Sequence, residues 1–591
     1  MTAGETVVDA SGVGSAPRWR AKSIDDQSVH RTRLRPGVAA TPLREGVHIR
    51  GRDSSLTLEG SRALPALWGL LAARLGADPQ AAERPEASDP KIGAALATLT
   101  DRLREHDLLV EHPDGVELPP WLGAVAGRPS EAAEAIRAAH PVVRAADPGG
   151  TLARAVDRAL TEAGAVPSFA ADDSLPAGRA LLTTGSPETA VAVAADAGGG
   201  FVTAPAHPVR ARSDAEEIAA RLAAAPDTAA PDTATPDASA ALTALLAGAA
   251  AQRLLRAVAG LPDPAAPDRD PRLLAGRPAI LVARARPLRA DHHPWAAGPP
   301  LPGHPATAPA PEDLAEALRR IAALGDQRLG VLDEPLPGSL PQVPAALVSC
   351  RTPAGPLLAG AARTDLARLD AACRSAELHL GAGPFTSGAG ATPVVGATPE
   401  QARGLALRRA ALALPVGGAS PIDTSWRDHP QVRHWWTTLT ERLDVKASLT
   451  VNQLDADEPV FRVDLQAPGL AVSTVEATPA DAVAFAALAA VAQVTAHQHG
   501  LSADVHTTPS GAAAPLATAG VRPAAWEDEG WTNRWLTGIA DREPALQHAL
   551  HRLTGLHTTP WQSARPEPHP VAAALAGCGF TVLATARGET R

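Results

Sequence analysis

The chain has 591 residues, a net charge of −10 and three cysteines, so it is too long for one core and too poor in sulfur for a disulfide framework or a four-ligand structural zinc site. Positive charge is almost all arginine, with Lys22, Lys91 and Lys446 the only lysines, and the absence of a basic stripe interleaved with aromatics speaks against nucleic-acid binding. The N-terminus lacks the basic and apolar regions of a signal peptide, and no clean apolar run of about 18 residues follows, so a cytoplasmic protein with no membrane partner is expected.

In chain order, residues 1–30 are polar and aperiodic and read as a flexible arm. Three short β-like runs follow over 34–43, 46–51 and 54–60, with Val47 and Ile49 on one face and Leu56 and Leu58 alternating with polar residues. A helix is predicted over 61–75, where Leu64, Leu67, Trp68, Leu71 and Leu75 recur at helical spacing behind a Ser61 cap. A second is predicted over 90–109 with the stripe Ile92, Leu96, Leu99 and Leu103. Residues 110–118 read as a wing hairpin turning at Asp114-Gly115. Three strands, two helices and a wing make a winged-helix outline.

That outline, with the phrase from Gly46 to Gly60, resembles the leader-recognition element of ribosomal-peptide modification enzymes over residues 31–125. The resemblance implies that an unstructured leader peptide adds a strand to the sheet edge, a mode in which backbone hydrogen bonds supply affinity and alternate side-chain pockets supply choice. The groove it implies comprises Ser54, Ser55, Leu56, Thr57 and Leu58 with the helix stripe Ile92, Leu96, Leu99 and Leu103. Taken singly, Leu56, Leu58, Leu96 and Leu99 read better as core than as contact, and Asp101, Glu105 and Asp107 disfavour DNA on this helix.

The segment 140–305 has an α/β pattern, with buried parallel strands expected at 180–184 and 200–203 around a helix-start signal at Ser186-Pro187-Glu188. Gly198-Gly-Gly200 precedes a strand and reads as a tight connection, not a phosphate loop. Residues 225–238 repeat proline and form a linker or exposed loop. An apolar helix over 240–259, a strand over 278–284 and a tail bearing His292 and His293, expected at the surface, resemble the C-terminal part of a ThiF-like domain. Neither GxGxxG nor paired CxxC is present, so this is a degenerate member.

From 311 to 591 the chain resembles YcaO-type cyclodehydratases. A helix over 312–324 and an opening strand over 328–333 lead to two signature helices, 367–380 and 398–412. In that family acidic residues of these helices hold Mg²⁺ against nucleotide phosphates. The resemblance puts Arg374, Arg409 and Leu412 at acidic positions and leaves Glu377, and a hard cation without oxygen ligands has no cage. The run 430–436, strands at 449–453 and 460–464 and a helix over 477–493 continue the pattern, while the family's proline-rich C-terminus has no counterpart in 581–591. Asp428, His429 and His434 beside Trp435 and Trp436 read as solvated histidine and aromatic packing, and Cys373 as inert core. There is no GxSxG elbow, HExxH helix or Walker loop.

The expected architecture is multidomain α+β and α/β: arm, winged-helix recognition domain (31–125), degenerate ThiF-like domain (140–305) and degenerate YcaO-like domain (311–591). The resemblance, close to the F-protein group of thiopeptide and related thiazole/oxazole pathways, implies a non-catalytic subunit with no catalytic residue, metal or cofactor of its own. ATP and Mg²⁺ would sit on a catalytic YcaO partner, with the precursor's leader as ligand and room for an azoline dehydrogenase in the complex. The alternatives are an ATP-dependent cyclodehydratase in its own right and a winged-helix DNA-binding regulator.

Overall fold

The computed structural model describes residues 30–76, 90–113, 118–185, 188–224, 238–265, 267, 270–381, 392–415, 425–501, 505–520, 531–564 and 569–585. The expected arm, the Asp114-Gly115 turn, the Ser186-Pro187 dipeptide and the 225–238 linker fall, but for residues 30 and 238, outside these. The chain divides into two compact units, Met1–Ala138 and Ala139–Arg591.

In the first unit β1 (His30–Leu34) precedes a meander of β2 (Ala39–Leu43), β3 (Gly46–Arg50) and β4 (Ser55–Glu59), followed by α1 (Leu64–Leu75), α2 (Pro90–Glu105), β5 (Leu109–Pro113), α3 (Pro120–Val125) and α4 (Pro129–Ala138). Period-two alternation does what it should: Val47, Ile49 and Leu56 turn inward and join Leu71, Leu75, Leu96, Leu99 and Leu103 in one core. One expectation needs correction. Ser61 is no helix cap, because α1 begins after Ala63 without a side-chain cap and the Ser61 hydroxyl accepts from Ala63 N in the preceding turn. Residues 110–113 lie in β5, which pairs antiparallel with β1; the turn and return of the expected wing fall outside the described residues but for residue 118. Asp107, with a left-handed backbone (φ 52°), turns the chain out of α2. Arg35 fixes that turn, donating to Asp107 O at 2.9 Å and Asp107 Oδ1 at 2.6 Å.

The second unit opens with a seven-stranded sheet. Its elements are β6 (Val142–Ala145), α5 (Thr151–Glu162), β7 (Ser168–Ala171), β8 (Arg179–Gly185), β9 (Glu188–Ala195), β10 (Gly199–Val202), α6 (Pro208–Ala224), α7 (Ala240–Val258), β11 (Ala279–Ala285) and β12 (Leu288–Pro294), in the order β12-β11-β10-β9-β8-β6-β7. Only β6 and β7 are parallel. The expected helix start after residue 185 is instead the beginning of β9, which forms an antiparallel hairpin with β8, and β10 is antiparallel to β9. These strands are apolar on both faces because α6 packs on one side through Ala211, Ala215 and Ile218 and α7 also lies against β9 and β10, so their sequence mimics a parallel sheet. Gly198 and Gly199 donate to Asp196 Oδ1 in the β9–β10 turn, and at Gly200 a Cβ would lie 2.1 Å from Ala194 O.

The remainder continues with α8 (Leu314–Leu324), β13 (Ala346–Thr352), β14 (Gly355–Ala361), α9 (Thr364–Gly381), β15 (Thr392–Gly396), α10 (Pro399–Leu412), α11 (Pro430–Thr437), β16 (Ser448–Gln453), β17 (Phe461–Ala467), β18 (Leu470–Glu476), α12 (Pro479–Gln498), β19 (Val505–Thr507), α13 (Ala514–Thr518), α14 (Trp531–Thr554), β20 (Thr558–Pro560), α15 (Trp561–Ala564), α16 (Pro570–Gly577) and β21 (Thr581–Thr585). The sheets run β13-β14-β19, β15-β21-β20 and β16-β17-β18. The centre is α12, capped by Thr478 and buried on every side. It and α7 are long and apolar enough to cross a membrane by length and composition, but here both are core helices. The opening strand expected at 328–333 is a turn, held by Asp326 Oδ1 accepting from Arg328 N and Leu329 N at 2.9 Å.

The two halves of this unit are clasped by arginines. Arg277, just before β11, donates to Gly577 O at 2.8 Å and Gly298 O at 2.7 Å, and Arg221 of α6 donates to Gly330 O at 2.7 Å. Residues 140–305 and 311–591 therefore share one compact body instead of forming two.

Candidate functional site

The first expected site is the edge of the β2-β3-β4 meander. Gly51 N donates to Ser54 O at 2.8 Å and Gly60 N to Glu45 O at 3.0 Å, and β3 and β4 pair Val47 with Leu58 and Ile49 with Leu56 between them. Antiparallel pairing alternates, so those two pairs exchange hydrogen bonds and the backbone N–H and C=O groups of Ser55, Thr57 and Glu59 point away from β3. Pro42 in β2 fits the same phase, since a residue without N–H opposite Val47 must occupy a non-bonded pair. Among the described residues no strand covers that outer edge of β4.

The expected groove residues separate accordingly. Ser55 and Thr57 are exposed and Leu58 and Ile92 half-buried. Ser54 is spent on a hydrogen bond to His106 O at 2.5 Å, which ties the start of β4 to the end of α2. Leu56, Leu96, Leu99 and Leu103 are buried core, so their place is in holding β4 against α2 and not in touching an incoming chain.

The second site is the pair of signature helices. Thr398 caps α10 by accepting from Gln401 N, which fixes where the helix starts and so which side chains face α9. The structure brings Arg374, Glu377 and Arg409 together. The Glu377 carboxylate, 2 % exposed, accepts from Arg374 Nη1 at 2.8 Å, Arg409 Nη1 at 2.8 Å and Val395 N at 3.1 Å. Burial alone would lower the Arg409 pKa, but the Glu377 charge and hydrogen bond outweigh it and the net shift is upward. Leu412 does not join them; its side chain packs beside Leu407, Val460 and Leu546.

One residue earlier on α10 lies a network that sequence reasoning missed. Arg408 is held between Glu476 at the end of β18 and Glu543 of α14, all three almost fully buried. Its Nε and Nη2 donate to Glu476 at 3.0 and 2.8 Å, and its Nη1 and Nη2 to Glu543 at 2.7 and 2.6 Å. Gly511 N at 2.8 Å and Gln547 Nε2 at 2.9 Å add second donors to Glu476 Oε1 and Glu543 Oε1. Gly404 makes room, since a Cβ there would lie 2.6 Å from Glu543 Oε1. Burial would lower the Arg408 pKa but the two carboxylates raise it, while burial pushes Glu476 up against the pull of Arg408. A buried, all-apolar environment around a lone arginine would have been the only warning in sequence, and Leu407-Arg408-Arg409 gives none.

Glu377, Glu476 and Glu543 are thus matched to guanidinium groups, and among the described residues no cluster of three or more His, Cys, Asp or Glu could hold a metal. Beside them a cleft of about 40 Å³, lined by Leu366, Asp370, Gln401, Leu405, Phe485 and Trp535, has room for a few waters. The histidines differ from expectation: His293 is half-buried with Nδ1 2.8 Å from Asp326 Oδ2, and burial lowers the His292 pKa. Trp435 is core, edge-on to His434 with ring centroids 4.6 Å apart. Cys373 is buried and its thiol pKa pushed well up by that burial.

No protein-family model and no curated protein matches the chain. Among solved structures, a heterocyclase in complex with substrate and cofactor superposes with a TM-score of 0.51 at 14 % identity, covering 95 % of each chain. The heterocyclase TruD gives 0.43 at 15 % identity over 95 % of each chain, and MccB of E. coli 0.27 at 8 % identity over 44 % of this chain and 93 % of its own. The first of these likenesses extends through both units and speaks for a shared fold.

Proposed function

We propose that this chain is a non-catalytic, leader-binding scaffold subunit of an azoline-forming cyclodehydratase. It would capture the leader of a ribosomal precursor peptide in the cytoplasm and present the Cys, Ser or Thr residues of that peptide to a separate YcaO protein, which carries ATP and Mg²⁺. The observation that carries this reading is the Glu377 carboxylate, closed by two guanidinium groups and a backbone N–H. Cations that belong to the chain occupy the neighbourhood where Mg²⁺ would need oxygen ligands. The fold shared with a heterocyclase supports the same class of pathway, and the open edge of β4 supports strand addition by an extended peptide. A catalytic YcaO partner, and a dehydrogenase where aromatic azoles are made, complete the complex.

Thr57 provides the test. Its N–H faces the open edge, so Thr57→Pro removes one donor for an added strand while leaving the β3–β4 bonds intact. Fluorescence polarisation with a labelled leader peptide should show binding to the wild type and a loss of tenfold or more in the variant, with unchanged circular dichroism. Equal affinity in both would refute strand addition at β4. ATP turnover by the purified chain with precursor peptide would refute the non-catalytic assignment.

A further inference from the structure

Arg374 and Arg409 are unequal to their task as mere partners of Glu377. One carboxylate, itself inaccessible, faces two guanidinium groups that remain 35 % and 41 % exposed. Each gives one Nη1 to Glu377, and among the described residues neither makes another hydrogen bond. A guanidinium has five N–H donors in a planar fork, so most of their donor capacity faces outward. The groups are also held in place. Glu377 is anchored by Val395 N, Arg374 comes from α9 and Arg409 from α10, and a shared carboxylate fixes the spacing of the two forks. Such a pair suits a tetrahedral oxyanion, which accepts from both forks at once.

We propose that Arg374 and Arg409 form a metal-independent site for a phosphate oxyanion, with Glu377 as its positioning residue. This rests on the reading of the domain as non-catalytic and extends it: the two arginines supply the positive charge that a magnesium ion would otherwise bring to a phosphate group. The ligand is free inorganic phosphate or pyrophosphate, or the phosphate tail of a nucleotide whose base stays outside. Asp370, whose charge acts on Arg409, opposes the anion and limits its affinity.

The test is isothermal titration of the full chain with pyrophosphate in EDTA, followed by phosphate and ADP. Wild type should bind pyrophosphate without any divalent ion, more weakly as salt rises. Arg374→Gln and Arg409→Gln, each at a half-exposed side chain, should each weaken binding about tenfold or more, the loss of a charge-assisted hydrogen bond. Asp370→Asn should tighten it. Stronger binding of ADP than of pyrophosphate identifies a nucleotide tail as the source, and the reverse identifies the free anion. No heat at millimolar pyrophosphate, a requirement for Mg²⁺, or wild-type affinity in both glutamine variants with intact circular dichroism overturns the proposal. Failure of this kind without ATP turnover leaves the scaffold reading standing, whereas Mg²⁺-dependent turnover removes the scaffold reading itself.

Discussion

Arg408 Nη2 lies 2.6 Å from Glu543 Oε2, a residue 135 positions away in sequence, and the same nitrogen lies 2.8 Å from Glu476 Oε2. A single buried nitrogen thus joins helix α10, strand β18 and helix α14. Its desolvation is offset only because both carboxylates and their own donors are in place.

Removing that cation alone should be severe. Arg408→Met leaves two carboxylates buried without a counter-charge and is expected to cost about 3–5 kcal/mol. Replacing Arg408, Glu476 and Glu543 together by apolar residues of similar size should recover most of the loss. Urea denaturation of the single and triple variants checks this; equal destabilisation would mean that packing and not charge is at stake.

Gly577 should tolerate no side chain. A Cβ there would lie 1.2 Å from Arg277 Nη2, so Gly577→Ala must displace the guanidinium from Gly577 O and Gly298 O, at a cost of about 1–3 kcal/mol for overpacking alone. Thermal unfolding gives the answer, and Gly338→Ala, in open space but at a positive φ of 49°, should cost less.

Cys350, Cys373 and Cys578 are all buried and free. Burial raises the Cys350 and Cys578 thiols to about 11 and Cys373 well above its ordinary value. Iodoacetamide near neutral pH should label none of them in the native protein and all three after denaturation, as read by mass spectrometry.

Hydrogen bonds from Arg212 and Ser174 hold the Asp172 carboxyl down to about 2. A depressed carboxylate pKa contributes stability that is complete above the unfolded value of about 4 and is lost as pH falls through about 2. Asp172→Asn should therefore flatten the acid limb of the stability profile over that window and leave neutral-pH behaviour little changed in slope. The effect should be modest, because part of the side chain meets solvent.

Elements whose signal is local were legible. Val47 and Ile49 against Leu56 and Leu58 gave the meander, and the helix expected over 398–412 is α10, Pro399–Leu412, while that expected over 477–493 is α12, which runs on to Gln498. The failures were tertiary. Nothing near Glu188 distinguishes a hairpin from a helix start when the strands on both sides are apolar on both faces. Val110 and Glu111 could not announce that their partner lies some 79 residues back, at Thr32. The Glu377 pairing was partly visible, since an arginine three residues before a glutamate on one helix is within reach, but Arg409 closes it from 32 positions on. Arg408, Glu476 and Glu543 were invisible because each sits in an ordinary apolar or polar run and gains meaning only from the other two.

The Arg277 contact with Gly577 spans 300 residues, and with that of Arg221 on Gly330 O it stitches the opening and closing stretches of the second unit into one mass. A protease nick between Ala306 and Pro311 would therefore not liberate a pair of free modules. The cut pieces should migrate together through gel filtration and come apart only in denaturant, as fragments of a single cooperative body do.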